Sequence, residues 1–296
     1  MAIKEKMAGD LKWATRQRFQ YIELKAYYCG SVSRSDVAKA FGISDAAATK
    51  DLKLYGDLAP DNLIYSQRVF GFVPTDQFSE QFADLSPENA LPLIADNLAT
   101  AGGPYGNEPI YGMKIDSLPL PARFPGKAVL AQLMRAISAR KKLKVVYRSL
   151  SGRDSGSERI IEPHALASTG LRWHVRAYNE DTYDFRDFVL SRFEQAQLTD
   201  EDAESSADYD DDWVEQVAVK LAPHPGLSDK QRLGLVVDYD IKDVIELRVR
   251  RALVGYLLQR LDVDTTPDHS LNPNKHQLIL TNRDEIEQFA AWAFSQ

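Results

Sequence analysis

The sequence predicts an α+β multidomain chain with an N-terminal winged helix-turn-helix, a central small β-barrel or strongly bent sheet, and a C-terminal α+β domain. Three observations predict it. A helix-turn-helix spacing occupies residues 33–53, with two short strands after it. Residues 141–200 break into strand-like runs separated by polar Gly/Ser/Asp turns. Beyond residue 212, strand and helix patterns alternate. The 296 residues suffice for two or three ordinary domains. Boundaries are expected at 1–100, 127–200 and 201–296, with a linker over 101–126.

The first helix is expected over "LKWATRQRFQYIELKAYYCG", on a stripe of Trp13, Phe19, Ile22, Leu24 and Tyr27 that Gly30 ends. Ser33 reads as the N-cap of "SRSDVAKAF", with Asp36 three residues on as in a capping box. Gly42 breaks that helix. Ser44 then caps "DAAATKDLKLYGDL", whose Ala48, Leu52 and Tyr55 recur on one face. "NLIYSQRVFGFVPT" reads as a two-stranded wing turning at Ser66–Gln67. A further helix is expected over 86–100, with Pro92 sitting awkwardly inside it. The stretch 101–126 carries five Gly and five Pro and reads as an extended linker. The helix "GKAVLAQLMRAISARKK" opens the middle block, and the strand "LKVVYRSL" puts Leu143, Val145, Tyr147 and Ser149 on one face. "ERIIEPHAL", "LRWHVRAYN" and "DFRDFVLSRFEQAQL" follow as strands. Residues 201–212 hold seven acids and no base and read as a solvated connector. Then come "WVEQVAVKLAP", a helix capped by Ser228 with Gln231 in a capping box, "VIELRVR", the helix "RALVGYLLQRL", the strand "HQLILT" and a last helix "RDEIEQFAAWAF".

Helix-turn-helix chemistry needs a small residue where the helices touch, a glycine in the turn and an apolar anchor. Ala38, Gly42 and Ala48 supply these. The second helix then exposes Ser44, Asp45, Ala46, Thr49, Lys50 and Lys53. Lys50 and Lys53 can neutralise phosphate or reach guanine O6/N7, Thr49 can bond a base edge, and the alanines let the helix sit deep. Arg34 and Ser35, at a helix start, are phosphate candidates. Arg68, beside the wing turn, is placed to enter a minor groove. Asp51 would oppose phosphate unless it turns back toward the first helix. Three-helix units of this kind also serve as protein-interaction domains.

The formal net charge of −7 looks wrong for a nucleic-acid binder, but it is unevenly spread. Residues 1–70 carry 11 Lys/Arg against 8 Asp/Glu, and 127–200 carry 13 against 9. The acid sits in 71–126, with 2 against 7, and in 201–296, with 10 against 19. A polyanion is drawn to the two basic blocks and repelled by the C-terminal third.

In the middle block, alternation puts Trp173, Val175 and Ala177 on one face and Arg172, His174, Arg176 and Tyr178 on the other. Arg186, Phe188, Leu190 and Arg192 share a face in the next strand. Arginine on an apolar face is costly unless a partner or water reaches it. Guanidiniums beside Tyr147, Ser149 and His164 would cradle an anion or nucleotide; alternatively they pair with Glu162, Asp184 and Asp187.

"YRS", "IEPHAL", "RWHVRAY" and "FRDFVLSRF", in that order, resemble the landmarks of the WYL domain, an Sm-like small β-barrel of bacterial transcription regulators. The eponymous tripeptide falls at Trp173-His174-Val175, where only the Trp is kept. With the winged helix before it and an α+β extension after it, the whole chain resembles the WYL regulators that sit beside phage-defence islands such as BREX and CBASS. The resemblance implies a homodimeric repressor on an inverted-repeat operator, a C-terminal α+β dimerisation domain, and a ligand, a nucleotide or nucleic-acid fragment, that releases or modulates it. It places ligand-binding residues at Tyr147, Ser149, His164, Arg176, Arg186 and Arg192. Arg186 and Arg192 would stand about 20 Å apart on an extended strand, so a shared ligand requires a bend or an extended shape. The stripe Leu253, Leu257 and Leu261 is the expected dimer contact, unless it is an ordinary core stripe.

Other classes find little support. No Gly-rich phosphate loop, GxSxG elbow, HExxH or paired-carboxylate motif appears, so no enzyme is expected. One cysteine, Cys29, and five histidines make a structural zinc site or disulfide framework unexpected. No cofactor or metal is expected. With no signal-peptide or membrane-spanning run, the expected compartment is the cytoplasm. A single-strand-binding accessory factor of a defence system is the competing function.

Overall fold

Gly30 and Gly42, both in the left-handed region, cut the N-terminal segment into three helices. The computed structural model describes residues 11–99, 111, 113, 118–121, 123–150, 156–205, 207–241 and 243–294. They fall into two units, Met1–Pro119 and Leu120–Gln296.

In the first unit α1 spans Trp13–Cys29, α2 Arg34–Phe41 and α3 Asp45–Leu58. The capping box forms: Asp36 donates its N–H to the Ser33 hydroxyl, and its carboxylate accepts from the Ser33 N–H. Ser44 accepts from Ala47 N–H at the start of α3. Gly42, at φ 62°, sends its N–H to the Ala38 carbonyl, closing α2 where a side chain would be strained. Ala48, Leu52 and Tyr55 are buried as the pattern requires. The α1 stripe differs from expectation. Phe19, Ile22 and Leu24 are buried, but Trp13 and Tyr27 are exposed. Trp13 opens the helix, and the Tyr27 ring packs on Tyr28 and Phe78 at the surface.

The wing is β1 (Leu63–Ser66) paired antiparallel with β2 (Gly71–Pro74), and Phe72 bridges back to Val32. A Cβ at Gly71 would stand 3.0 Å from the Val32 carbonyl oxygen, so this close seat needs glycine. α4 (Pro87–Ala99) runs through Pro92. Most of residues 101–126 lie outside the described residues, but Tyr111 is buried, its ring 5.2 Å from that of Tyr21. Its carbonyl accepts from Lys25 Nζ at 2.8 Å.

Glu23 on α1 is fully buried. Its carboxylate accepts from the N–H groups of Gln81, Phe82 and Ala83 at 2.7–2.9 Å and from the Tyr55 hydroxyl at 3.1 Å. One side chain thus ties α1 to α3 and to the segment following the wing.

In the second unit α5 (Lys127–Ala139) lies on a five-stranded antiparallel sheet: β3 Lys141–Tyr147, β4 Glu158–Ser168, β5 Trp173–Asn179, β6 Asp184–Val189 and β7 Phe193–Asp202. The order is β6-β5-β4-β3-β7. Register shifts at Pro163/Ala165 and Val146/Tyr147 mark irregular points in the pairing. Strands β6 and β7 are joined by a 3₁₀ turn, Leu190–Arg192, and do not pair with each other among the described residues, so the sheet stays open. Leu133, Leu143, Val145, Ile161, Val175 and Phe188 form its core.

The C-terminal portion holds α6 (Asp211–Val214), β8 (Gln216–Pro223), α7 (Asp229–Tyr239), β9 (Ile245–Arg250), α8 (Val254–Arg260), β10 (Leu278–Leu280) and α9 (Arg283–Ile286). Its sheet has the order β10-β8-β9, all antiparallel. Ser228 and Gln231 form the expected capping box. Two helices are shorter than predicted. A 3₁₀ turn, Arg251–Leu253, precedes α8, and α9 gives way to 3₁₀ turns at Glu287–Phe289 and Ala291–Ala293. Leu257 and Leu261 pack on this portion's own core, the ordinary alternative to a dimer stripe.

Removing the Glu23 carboxylate orphans three backbone donors. We expect Glu23→Ala to destabilise the N-terminal unit by about 2–4 kcal/mol, read as a lowered urea midpoint, with Glu23→Gln costing less.

Candidate nucleic-acid interface and anion site

α3 is held from behind. Arg18 on α1 grips Asp51 through Nε at 2.6 Å and Nη2 at 3.2 Å, and both side chains are largely buried. Asp51 therefore turns back toward α1, as predicted, and presents no charge to a ligand. Asp45 stays exposed, and Arg34 Nε stands 3.8 Å away, a surface pair worth little energy but enough to offset its charge locally.

With the buried face fixed, the opposite face is decided. Ser44, Asp45, Ala46, Thr49, Lys50 and Lys53 are all exposed on α3, and Arg34 and Ser35 are exposed at the start of α2. Arg68 is exposed in the wing turn. Thr49 spends its hydroxyl proton on the Asp45 carbonyl at 2.8 Å, leaving the oxygen as an acceptor. Between α3 and the wing runs a cavity of about 640 Å³, with Arg34, Thr49 and Lys53 on one wall and Tyr65, Phe70 and Phe72 on the other.

The middle block does not gather its six predicted residues. Tyr147 is buried in the core against Phe188 and Phe193, and its hydroxyl accepts from Val189 N–H. Ser149 lies two residues past β3. His164 and Arg176 are brought together, but by a protein anion. Asp210 accepts from Arg176 Nε and Nη2, both at 2.7 Å, and His164 Nε2 lies 2.9 Å from Asp210. Burial raises the Asp210 pKa, but Arg176 and His164 outweigh it and hold the carboxyl below its ordinary range. The connector is therefore not simply solvated, because Asp210 is buried on the sheet. Arg186 is exposed and forks onto Asp184 at 2.8 and 2.9 Å. The surface-pairing alternative thus holds for Arg186 with Asp184, and Arg176 also reaches Asp187 at 3.4 Å.

Arg192 goes elsewhere. The 3₁₀ turn breaks the alternation after Leu190 and swings it toward Arg172 and Arg123. Arg172 is pushed below the usual guanidinium range by burial and then by Arg123 and Arg192. None of the three forms an ion pair among the described residues. Arg123, Phe124, Ser168, Arg172 and Trp173 line a cavity of about 330 Å³. Arg260 on α8 closes in: its Nε would stand 3.0 Å from a Cβ at Gly170, which sits at φ 74°. Arg172 and Trp173 were visible in the strand pattern, whereas Arg123 and Arg260 carried no sequence signal.

His174 connects this cluster to the C-terminal portion. It is fully buried, accepts from Arg172 Nε at 3.2 Å, and stacks on Tyr256 of α8 with ring centroids 4.7 Å apart. The Tyr256 hydroxyl is bonded to Asp187, and its ring lies 5.2 Å from Trp292. His174 and Arg176 on the expected polar face of β5 are therefore buried, as are Val175 and Ala177 on the other, while Trp173 at the strand's start is exposed.

The comparisons with known proteins agree in order and extent. Residues 14–96 match the family description "BrxR transcriptional regulator winged helix-turn-helix domain", 128–198 match "WYL domain", and 216–286 match "BrxR transcriptional regulator, C-terminal dimerization domain". The "DNA-binding transcriptional repressor CapW" of Stenotrophomonas maltophilia is 31% identical over 95% of this chain and 94% of its own. The protein of the same description from Escherichia coli (strain KTE188) is 35% identical over 93% and 91%. That of Pseudomonas aeruginosa is 32% identical over 93% and 92%. The chain belongs to the CapW family. The winged-helix, WYL and dimerisation matches follow one another in that order along the chain, and no helix among the described residues is long and apolar enough to cross a membrane.

Burial, then Arg172, Arg192 and Arg123, push the His174 pKa from 6.5 to about 4. The folded value lies below the unfolded one, so stability is complete above pH 6.5 and is lost as pH falls toward 4. We expect a loss of about 3 kcal/mol across that window, measured by urea titration, and a flatter profile in His174→Phe.

Proposed function

We propose that this member of the CapW family is a homodimeric DNA-binding repressor of a phage-defence operon that binds an inverted-repeat operator through α3. The observation that carries the reading is the Arg18–Asp51 fork, which removes the one inward acid and leaves Thr49, Lys50 and Lys53 facing out beside the wing. Lys50 and Lys53 supply phosphate or guanine contacts, Ala46 lets the helix approach the bases, and Arg34 and Ser35 meet the flanking phosphates. The dimerisation domain matched over 216–286 sets the two helices on two half-sites of one duplex.

The effector is an anion, a nucleotide or nucleic-acid fragment, seated on Arg123, Arg172 and Arg192 instead of the His164–Arg176 pair. Arg123 and Arg192 both repel Arg172, none of the three forms an ion pair among the described residues, and Trp173 beside Arg123 and Arg172 offers a ring for a base to stack on. An anion drawing on Arg172 competes with its bond to His174. His174 in turn packs on Tyr256 of the dimerisation domain, so occupancy is communicated to the dimer.

Footprinting the DNA upstream of the chain's own gene tests the reading. The wild-type protein is expected to protect an inverted repeat, and Lys50→Ala with Lys53→Ala to abolish protection and lower the salt slope by about 2 per protomer. Adding a short single-stranded oligonucleotide is expected to shift wild-type affinity for that duplex, while Arg172→Ala with Arg192→Ala binds the duplex but ignores the oligonucleotide. A protein that binds the single strand and protects no duplex is instead the accessory factor.

A further inference from the structure

The wing turn ends on Phe70, whose side chain is 80% exposed and whose φ of 50° lies in the left-handed region. A bulky aromatic is disfavoured there, where Gly, Asn or Asp would sit without strain. Its ring covers nothing in the unit's core, so neither local geometry nor burial explains a Phe at this position. Ile64, Tyr65 and Val69 are exposed on the same hairpin, and Arg68 is exposed two residues away.

The cleft between α3 and the wing gives this apolar tip a setting. A helix in the major groove and a wing over the neighbouring minor groove must straddle the sugar-phosphate strand between them. The cleft suits that strand: Arg34 and Lys53 line its helix side as cations for phosphate, beside the single acid Asp57, and Tyr65 and Phe72 line its wing side as rings for deoxyribose. Phe70 stands at its lip, on the minor-groove side. A cation beside an exposed apolar ring is the chemistry by which proteins bind a minor groove and pry apart a base step.

We propose that Phe70 is a wedge that enters the minor groove next to the α3 contact, partly unstacks one base step and kinks the duplex. The proposal rests on the DNA-binding reading above and adds a specificity element to it. A flexible pyrimidine–purine step becomes part of the recognised sequence although no side chain hydrogen-bonds to it.

The test uses the full-length protein and the duplex that the wild type protects, with 2-aminopurine placed in turn at each step flanking the α3 contact and donor–acceptor dyes at the duplex ends. Phe70→Asn removes the ring and suits the left-handed backbone, so it is expected to melt no lower than the wild type. Phe70→Leu keeps an apolar wedge. The wild type is expected to brighten 2-aminopurine at one step and bend the duplex by roughly 20–90°. Phe70→Asn should still bind, about tenfold more weakly, with the probe dark and the duplex nearly straight, and Phe70→Leu should retain most of both signals. If Phe70→Asn brightens the same step and bends the duplex as the wild type does, the wedge is wrong while DNA binding stands. If the wild type protects no duplex, both readings fall together.

Discussion

A guanidinium taken out of water needs a fixed anion, and Arg176 has Asp210. That one fork draws an acidic stretch of chain onto the WYL sheet, seats Trp213 against His164, and leads the backbone straight into the dimerisation domain. Breaking such a pair by removing one partner costs about 3–5 kcal/mol, because the survivor is stranded in a poorly solvating place. The fork also decides what is left for a ligand. Arg176 and His164 are taken and Arg186 has Asp184, whereas Arg123, Arg172 and Arg192 form no ion pair among the described residues.

The same constraint orders the winged helix. Glu23, buried with no ion pair among the described residues, is answered by three backbone N–H groups and the Tyr55 hydroxyl; Asp51 is answered by Arg18. Together they fix the roll of α3 about its own axis, and the roll determines which six side chains stay exposed. An acidic chain can therefore carry a basic reading face: one of the two acids on α3's first two turns is turned inward, and the other stands by Arg34.

Much of this was legible from the residues. The capping boxes at Ser33 and Ser228, the turn at Gly42 and the inward set Ala48, Leu52 and Tyr55 are local signals, and each appears in the structure as read. Val175 and Ala177 lie in the sheet core as the alternation read, but Trp173, read onto the same face, is exposed, and His174 and Arg176 opposite are buried. What sequence could not supply was the partner of each charge. Asp210 is one acid among seven in its run, and nothing in spacing distinguishes the buried one from the solvated six. Tyr256 lies about 80 residues beyond His174 and carries no periodic mark linking the two. Likewise, the 3₁₀ turn at Leu190–Arg192 breaks the alternation that had placed Arg186 and Arg192 on one face. Local patterns give elements; long-range pairing of charge decides which face of an element is free.

The proposed seating of α3 in the major groove of a duplex, once per protomer of a dimer, can be tested by crosslinking. A photo-crosslinking amino acid at position 46 reports this directly, since Ala46 is exposed on α3 and neighbours both Thr49 and Lys50. Crosslinks are expected to bases at two symmetric positions of the protected site, separated by about 10.5 base pairs or a multiple of that spacing. Crosslinks confined to protein, or to DNA without that spacing, would contradict it.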